Sequence, residues 1–194
     1  MSRIVVLNHV TLDGVMQGPG RPDEDTRDGF QHGGWSMDDN DDVMGQVMGS
    51  RLAESGGLLL GRRSYEDMLG YWNTTDSPFK DALNNAPKYV ASHTEDPLTW
   101  PNSTMLTGDV PASVGELRKE TGKDLHIMGS GALIQSLLPN NLIDEFMLLI
   151  HPVVLGSGHR LFPDGTPRTS LRLVDSVITT KGVVIATFQP TDAA

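Results

Sequence analysis

Apolar and polar positions alternate with two different periods along this chain, and the switches between them mark its elements. Arg3 to Thr11 is β-branched and ends at the turn pair Asp13-Gly14, which predicts a first strand. Residues 16 to 37 then lose all periodicity and carry Pro19, Pro22 and several Gly. A loop of that length in a compact domain is uncommon and tends to be functional. A helix follows, because Val43/Val47 and Met44/Met48/Leu52 fall on one stripe at i, i+4 spacing. Leu58-Leu59-Leu60, bounded by Gly57 and Gly61, predicts a short buried strand, and Arg62 to about Leu69 a helix.

Further helices are predicted over Pro78–Asn85 and from Pro111 through Leu117. Another starts after Gly129-Ser130-Gly131, carries Leu133/Leu137 and Ile134/Leu138 pairs, and stops at Pro139. Strands are predicted over 87–92, 103–106 and 125–128. The last third is strand-rich: 142–155, 171–179 and 183–188, with Lys181-Gly182 as a hairpin turn. Alternating strands and helices followed by strands alone predict a single α/β domain over 1–194. Its sheet should be mostly parallel, with antiparallel strands at the C-terminal edge.

Composition narrows the chemistry. The 194 residues include no Cys, which excludes a disulfide framework, thiolate nucleophiles and Cys-ligated metals. The formal charge of −10 argues against a broad nucleic-acid footprint but leaves room for a local basic pocket. No apolar run approaches the ~20 residues of a membrane helix, and no targeting segment is visible, so the expected compartment is the cytoplasm. No metal site is expected. Asp38-Asp39-Asn40-Asp41-Asp42 lacks the Gly and Glu of a calcium loop and suits the first turn of a helix. The six His show no His-x-x-x-His spacing.

Two strand-to-helix turns remain. Leu60-Gly61-Arg62-Arg63-Ser64 runs a buried strand into a helix N-terminus, where free N–H groups, the helix dipole and two guanidinium groups favour an anion. A helix cap with two solvated Arg accounts for the same residues. Met128-Gly129-Ser130-Gly131 is a second such turn, which admits a pyrophosphate to the backbone or serves only as a tight turn. Together the two turns point to a nucleotide with several phosphates. Ser92 and His93, at a strand end, are a third candidate for phosphate contact.

Thr11-Leu12-Asp13-Gly14, Leu60 to Glu66, Met128 to Gly131 and Pro152 to Gly158, followed by Leu161-Phe162, occur here in an order that resembles one family. This is the dihydrofolate-reductase-like family that includes the reductase domain of bacterial riboflavin biosynthesis. The resemblance spans roughly residues 3 to 189. It implies a central mixed sheet flanked by helices and an NADPH cofactor. By resemblance, Gly61, Arg62, Arg63 and Ser64 contact the 2′-phosphate and pyrophosphate, and Ser92 and His93 sit beside the 2′-phosphate. Gly129, Ser130, Gly131, Ala132 and Leu133 wrap the pyrophosphate and ribose, while Leu12 and Gly14 border the nicotinamide. Asn8, His151 and Pro152 face the substrate. His93 departs from the Arg or Lys of many relatives. Asp13 and Asp42 are the candidate acids, Asp41 and Asp42 lying on the helix that carries a buried carboxylate in dihydrofolate reductase.

The zinc deaminase often fused to the riboflavin reductase needs Pro-Cys-x-x-Cys, which is absent, so the resemblance is to a stand-alone reductase domain. It implies an oxidoreductase that passes hydride from NADPH to a small pterin, pyrimidine or related heterocycle, a 5-amino-6-(5-phosphoribosylamino)uracil reductase-like activity. The alternative is a non-catalytic dinucleotide- or flavin-binding protein on the same fold. A homodimer is expected, because 146–150 and 183–185 hold more apolar strand than one small domain easily covers.

Overall fold

The computed structural model describes residues 1–76, 78–120 and 122–191. Its strands are β1 (Ile4–Thr11), β2 (Gly57–Gly61), β3 (Lys88–Ala91), β4 (Ser103–Leu106), β5 (Leu125–Met128), β6 (Glu145–His151), β7 (Leu171–Ile178) and β8 (Val184–Pro190). They form one sheet in the order β4-β3-β2-β5-β1-β6-β8-β7. Every pairing from β4 through β6 is parallel, while β8 pairs antiparallel with both β6 and β7. The helices are α1 (Asp42–Ala53), α2 (Arg62–Trp72), α3 (Pro78–Asn85), α4 (Val110–Glu120) and α5 (Gly131–Leu137). The α/β class and the antiparallel C-terminal edge therefore stand as expected.

Parity along β1 sets the two faces. Ile4, Val6 and Val10 join Val114, Leu133, Ile134 and Leu137 under α4 and α5. Val5 and Leu7 join Met44, Met147, Leu149 and Ile185 under α1. A third cluster packs Leu58 and Leu60 against Tyr65, Leu83 and Trp100 of α2, α3 and the loop before β4. Burial on both faces is why these strands read as near-continuous apolar runs. Helix α1 begins where the Asp41 side chain accepts the Met44 N–H at 2.9 Å, so the acidic cluster does supply a cap.

Four expectations need correction. The long strand predicted over 142–155 is only Glu145–His151, because Pro152 cannot donate to a ladder and the chain turns away after it. Pro139 does not stop α5 directly but sits in a 3-10 turn, Leu138–Asn140, that continues it. Helix α2 runs on to Trp72, whose ring stacks on Phe79 of α3. The apolar residues 146–150 and 183–185 are covered within the chain itself, with Phe146, Leu149 and Val183 fully buried. Exposed apolar surface lies instead on the edge strand β7, where Leu173 is 53% and Ile178 71% exposed. No described helix is long and apolar enough to cross a membrane.

Candidate functional site

Because β1 to β6 run parallel, their carboxyl ends share one edge of the sheet, the place where open α/β sheets bind ligands. The loops leaving β1, β2, β3, β5 and β6 there carry nearly every residue singled out above.

The two glycine turns are laced together. Ser130 Oγ accepts the Gly61 N–H at 2.9 Å, and Ser64 Oγ accepts the Ser130 N–H at 2.9 Å. The two serines thus hold the ends of β2 and β5 in one unit. Gly129 and Ser130 both have left-handed backbone, at φ +62° and +59°. A Cβ on Gly129 would stand 3.2 Å from Ser64 Oγ, so conformation favours glycine and the space is tight. Gly131 has no such conformation; a Cβ there would meet only the flexible Met16 thioether at 3.0 Å. The N–H groups of Gly131, Ala132 and Leu133 open α5, since the first intrahelical bond returns from Ile134 to Ser130. Asn8 braces this turn from below: its Oδ1 accepts the Gly129 N–H at 2.8 Å. Asn8 thus supports the Gly129 turn through its side-chain carbonyl oxygen.

Cations lie beside the unit. Arg62 donates through Nε to Glu66 at 2.6 Å and through Nη1 to the Asp96 carbonyl at 2.8 Å, which ties α2 to the loop after β3. Arg63 is exposed and has no partner among the described residues. In the loop after β3, Ser92 Oγ closes a local turn with Thr94, and His93 is exposed.

At the end of β1 the chain turns tightly, with Gly14 at φ +80° and its N–H bonded to the Thr11 carbonyl. Leu12 and Val154, both 65% exposed, form an apolar rim where the Leu12 N–H meets the Val153 carbonyl. Asp13 accepts from Thr11 Oγ1 at 2.6 Å and from the Gly156 and Leu155 N–H groups. The Thr11 hydroxyl above all, with those backbone donors, lowers its pKa from 3.8 to about 2. A carboxylate so held is committed as an acceptor to the loop that follows β6. Asp42 is exposed on the first turn of α1, away from any buried position. Pro152 is exposed and lies toward the β7–β8 turn at Gly182 rather than on the floor of the site.

His151 is placed differently from expectation. It is fully buried, with Nδ1 2.7 Å from Asp39 Oδ2 and Nε2 2.8 Å from His9 Nδ1. Trp35, from the long loop, packs edge-on against its ring at 5.2 Å and donates to the Gln17 carbonyl. Withdrawal from water, and the neighbouring His151, lower the His9 pKa to about 4. His9, Asp39 and Trp35 were not singled out from the sequence. The signal available was parity: His9 shares the β1 face of Val5 and Leu7, where a polar residue needs a partner.

A parallel run extended by an antiparallel pair, with glycine turns at its carboxyl edge, defines the dihydrofolate-reductase-like fold. Dihydrofolate reductase from Enterococcus faecalis, complexed with NADP(H) and RAB-propyl, matches at a TM-score of 0.60 and 14% identity, over 98% of this chain and 97% of that one. The chain belongs to the RibD C-terminal domain family, which matches residues 3–185. The Bacillus subtilis (strain 168) protein YyaP, uncharacterized, is 32% identical over 189 residues, covering 94% of this chain and 92% of its own. A diaminohydroxyphosphoribosylaminopyrimidine deaminase/5-amino-6-(5-phosphoribosylamino)uracil reductase from Thermotoga maritima matches at a TM-score of 0.63 and 13% identity. There the match covers 98% of this chain and 57% of that one.

Proposed function

We propose that the protein is an NADPH-dependent reductase of a small planar heterocycle of the pterin or pyrimidine type. The observation that carries this reading is the laced pair of glycine turns beside Arg62 and Arg63 at the carboxyl edge of the sheet. The residues fit a dinucleotide: a Cβ on Gly129 would press on Ser64, which joins the two turns, and the first N–H groups of α2 and α5 suit an anion. Arg62, Arg63, Ser92 and His93 would hold the 2′-phosphate side. Gly129 to Leu133 would hold the pyrophosphate, and Leu12 and Gly14 would border the nicotinamide. Bound there, NADPH supplies a hydride; the protein orients the acceptor and excludes water. The apolar rim of Leu12 and Val154 suits a flat ring. Family membership, and the reductase and NADP(H) complex among structures of like fold, support the same class of chemistry.

The commitment of Asp13 to its loop contacts and the exposure of Asp42 favour a second reading, a dinucleotide- or flavin-binding protein without catalysis, because neither carboxylate is a buried acid. Fluorescence titration with NADPH and NADH, followed by steady-state NADPH oxidation against pterins, pyrimidines and quinones, separates the two. Binding with turnover supports the reductase, binding without turnover supports the second reading, and no binding at millimolar NADPH or NADH refutes the reductase and leaves the second reading to a flavin titration, whose failure refutes it. The proposal includes a homodimer formed at the β7 edge, whose apolar side chains and unpaired strand edge are the exposed features suited to it.

A further inference from the structure

Between the long loop and the carboxyl ends of β1 and β6 lies a line of three titratable side chains that the phosphate turns do not use. Asp39 bonds His151, and His151 bonds His9, at 2.7 and 2.8 Å. We propose that this line is a proton wire that supplies the proton of the reduction, with His9 as the catalytic residue and His151 and Asp39 as its positioning residues. The proposal rests on the reductase reading above.

The argument is one of donors and acceptors. The Asp39 carboxylate only accepts, so His151 Nδ1 carries hydrogen. One proton then lies between His151 Nε2 and His9 Nδ1, and its position sets the outer nitrogen of His9. In the loaded state His151 is an imidazolium beside Asp39, its Nε2–H points to His9 Nδ1, and neutral His9 carries hydrogen on Nε2. In the discharged state the middle hydrogen belongs to His9 Nδ1, His151 is neutral, and His9 Nε2 is bare.

The two ends of the line differ in access. His151 is 0% exposed and shielded by Trp35, whereas His9 is only partly buried. His9 Nε2 has no partner among the described residues and the residue is half-buried, which leaves that nitrogen as the outer end of the line. A second proton is disfavoured, because burial and His151 lower His9 to about 4. The other carboxylates near this edge are committed elsewhere: Asp41 to Met44 and Thr180, Asp13 to Thr11, Leu155 and Gly156. Asp42 faces solvent.

The step balances. The acceptor is a planar C=N or C=O, and the reduced dinucleotide is the hydride source. As its carbon gains hydride, the π pair moves to the heteroatom. That atom bonds the proton from His9 Nε2, whose N–H bond breaks. The proton on His151 Nε2 moves to His9 Nδ1, leaving His151 neutral and still donating to Asp39. Water reloads the line with one proton.

The test is nitrogen-edited histidine NMR of the free full-length protein across pH, with signals assigned through His9→Gln and His151→Gln. The expected result, wherever the pair carries its extra proton, is a doubly protonated His151 and a neutral His9 in the Nε2–H form. As pH rises, both rings lose one shared proton in a single step and His9 changes to the Nδ1–H form. Asp39→Asn removes the countercharge and should move that step down by about one pH unit or more, with NADPH affinity unchanged by fluorescence titration. His9 in the Nδ1–H form at every pH, independent titration of the rings, or a step unmoved by Asp39→Asn would overturn the wire. If the line behaves as expected but NADPH does not bind, the reductase reading falls and takes with it the line's role in reduction, leaving only the shared titration. If NADPH binds and the line is inert, the wire alone falls.

Discussion

Replacing Gly129 with alanine should destabilise the protein and loosen the nucleotide turn together. The residue has φ +62°, where an L side chain costs about 1–2 kcal/mol. Its new Cβ would stand 3.2 Å from Ser64 Oγ, the acceptor of the Ser130 N–H. Pushing that hydroxyl away leaves a partly buried amide without a partner, for about 1 kcal/mol more. The expected loss is about 2–3 kcal/mol, a large share of the ~5–15 kcal/mol typical of a domain. Gly49, in the middle of α1, is the control: it has nothing within 4 Å of a built Cβ and no left-handed backbone. Gly49→Ala should gain about 0.5–1 kcal/mol from helix propensity. Urea unfolding followed by circular dichroism reads both as shifts of midpoint at constant slope. NADPH affinity should fall for Gly129→Ala and stay constant for Gly49→Ala. A Gly129→Ala midpoint at or above wild type would refute the reasoning, since the turn would then relax to negative φ at no cost.

Arg62→Ala should weaken NADPH about tenfold, and NADH little, because only NADPH carries the 2′-phosphate. The low end of the range applies because Glu66 and the Asp96 carbonyl already occupy part of the guanidinium; equal losses in fluorescence titration would move Arg62 to the pyrophosphate. Asp13 has a folded pKa of about 2 against an ordinary 3.8, so its stabilisation is full above about pH 4 and lost as pH falls toward 2. Asp13→Asn should flatten that part of a urea-midpoint profile, and an unchanged acid limb would contradict the loop tie. Light scattering should show a dimer of the 21.0 kDa chain, and Leu173→Glu with Ile178→Glu should yield monomer; a wild-type monomer at micromolar concentration would refute the β7 interface.

Local signals were strong where a strand or helix is bounded by its own punctuation. Strands β4 and β5 and helix α3 match the predicted bounds because Gly, Pro or Asn stands near each end. The glycine turns were legible for the same reason, but their joining was not. Ser64 and Ser130 are 66 residues apart, and a hydroxyl's partner across two turns leaves no periodic trace. The wire was hidden more deeply. Asp39 stood in an acidic run whose neighbour Asp41 does cap α1, so one explanation covered residues with two different tasks. His9 and His151 come together only through the β1–β6 pairing. The dimer argument misread strand content as exposure; β8, returning antiparallel, covers the apolar residues of β6 that a lone edge would show.

The β1–β6 register places His9 opposite Leu149 and Thr11 opposite His151, leaving the two imidazoles as diagonal neighbours on one face. Side chains alternate across a strand, so a slip of one residue would send His9 to the α5 face and put Asn8 in its place. Both appointments would be lost at once: the proton line and the brace under Gly129. Ile4 to Leu7 are apolar toward both faces, so what opposes the slip is the polar pair that follows: Asn8 under the Gly129 N–H and His9 beside His151. The polar end of the strand thus works as an address for a core that is apolar on either side. Apolar substitutions at Asn8 and His9, which remove those markers, should therefore scatter the site before they unfold the protein.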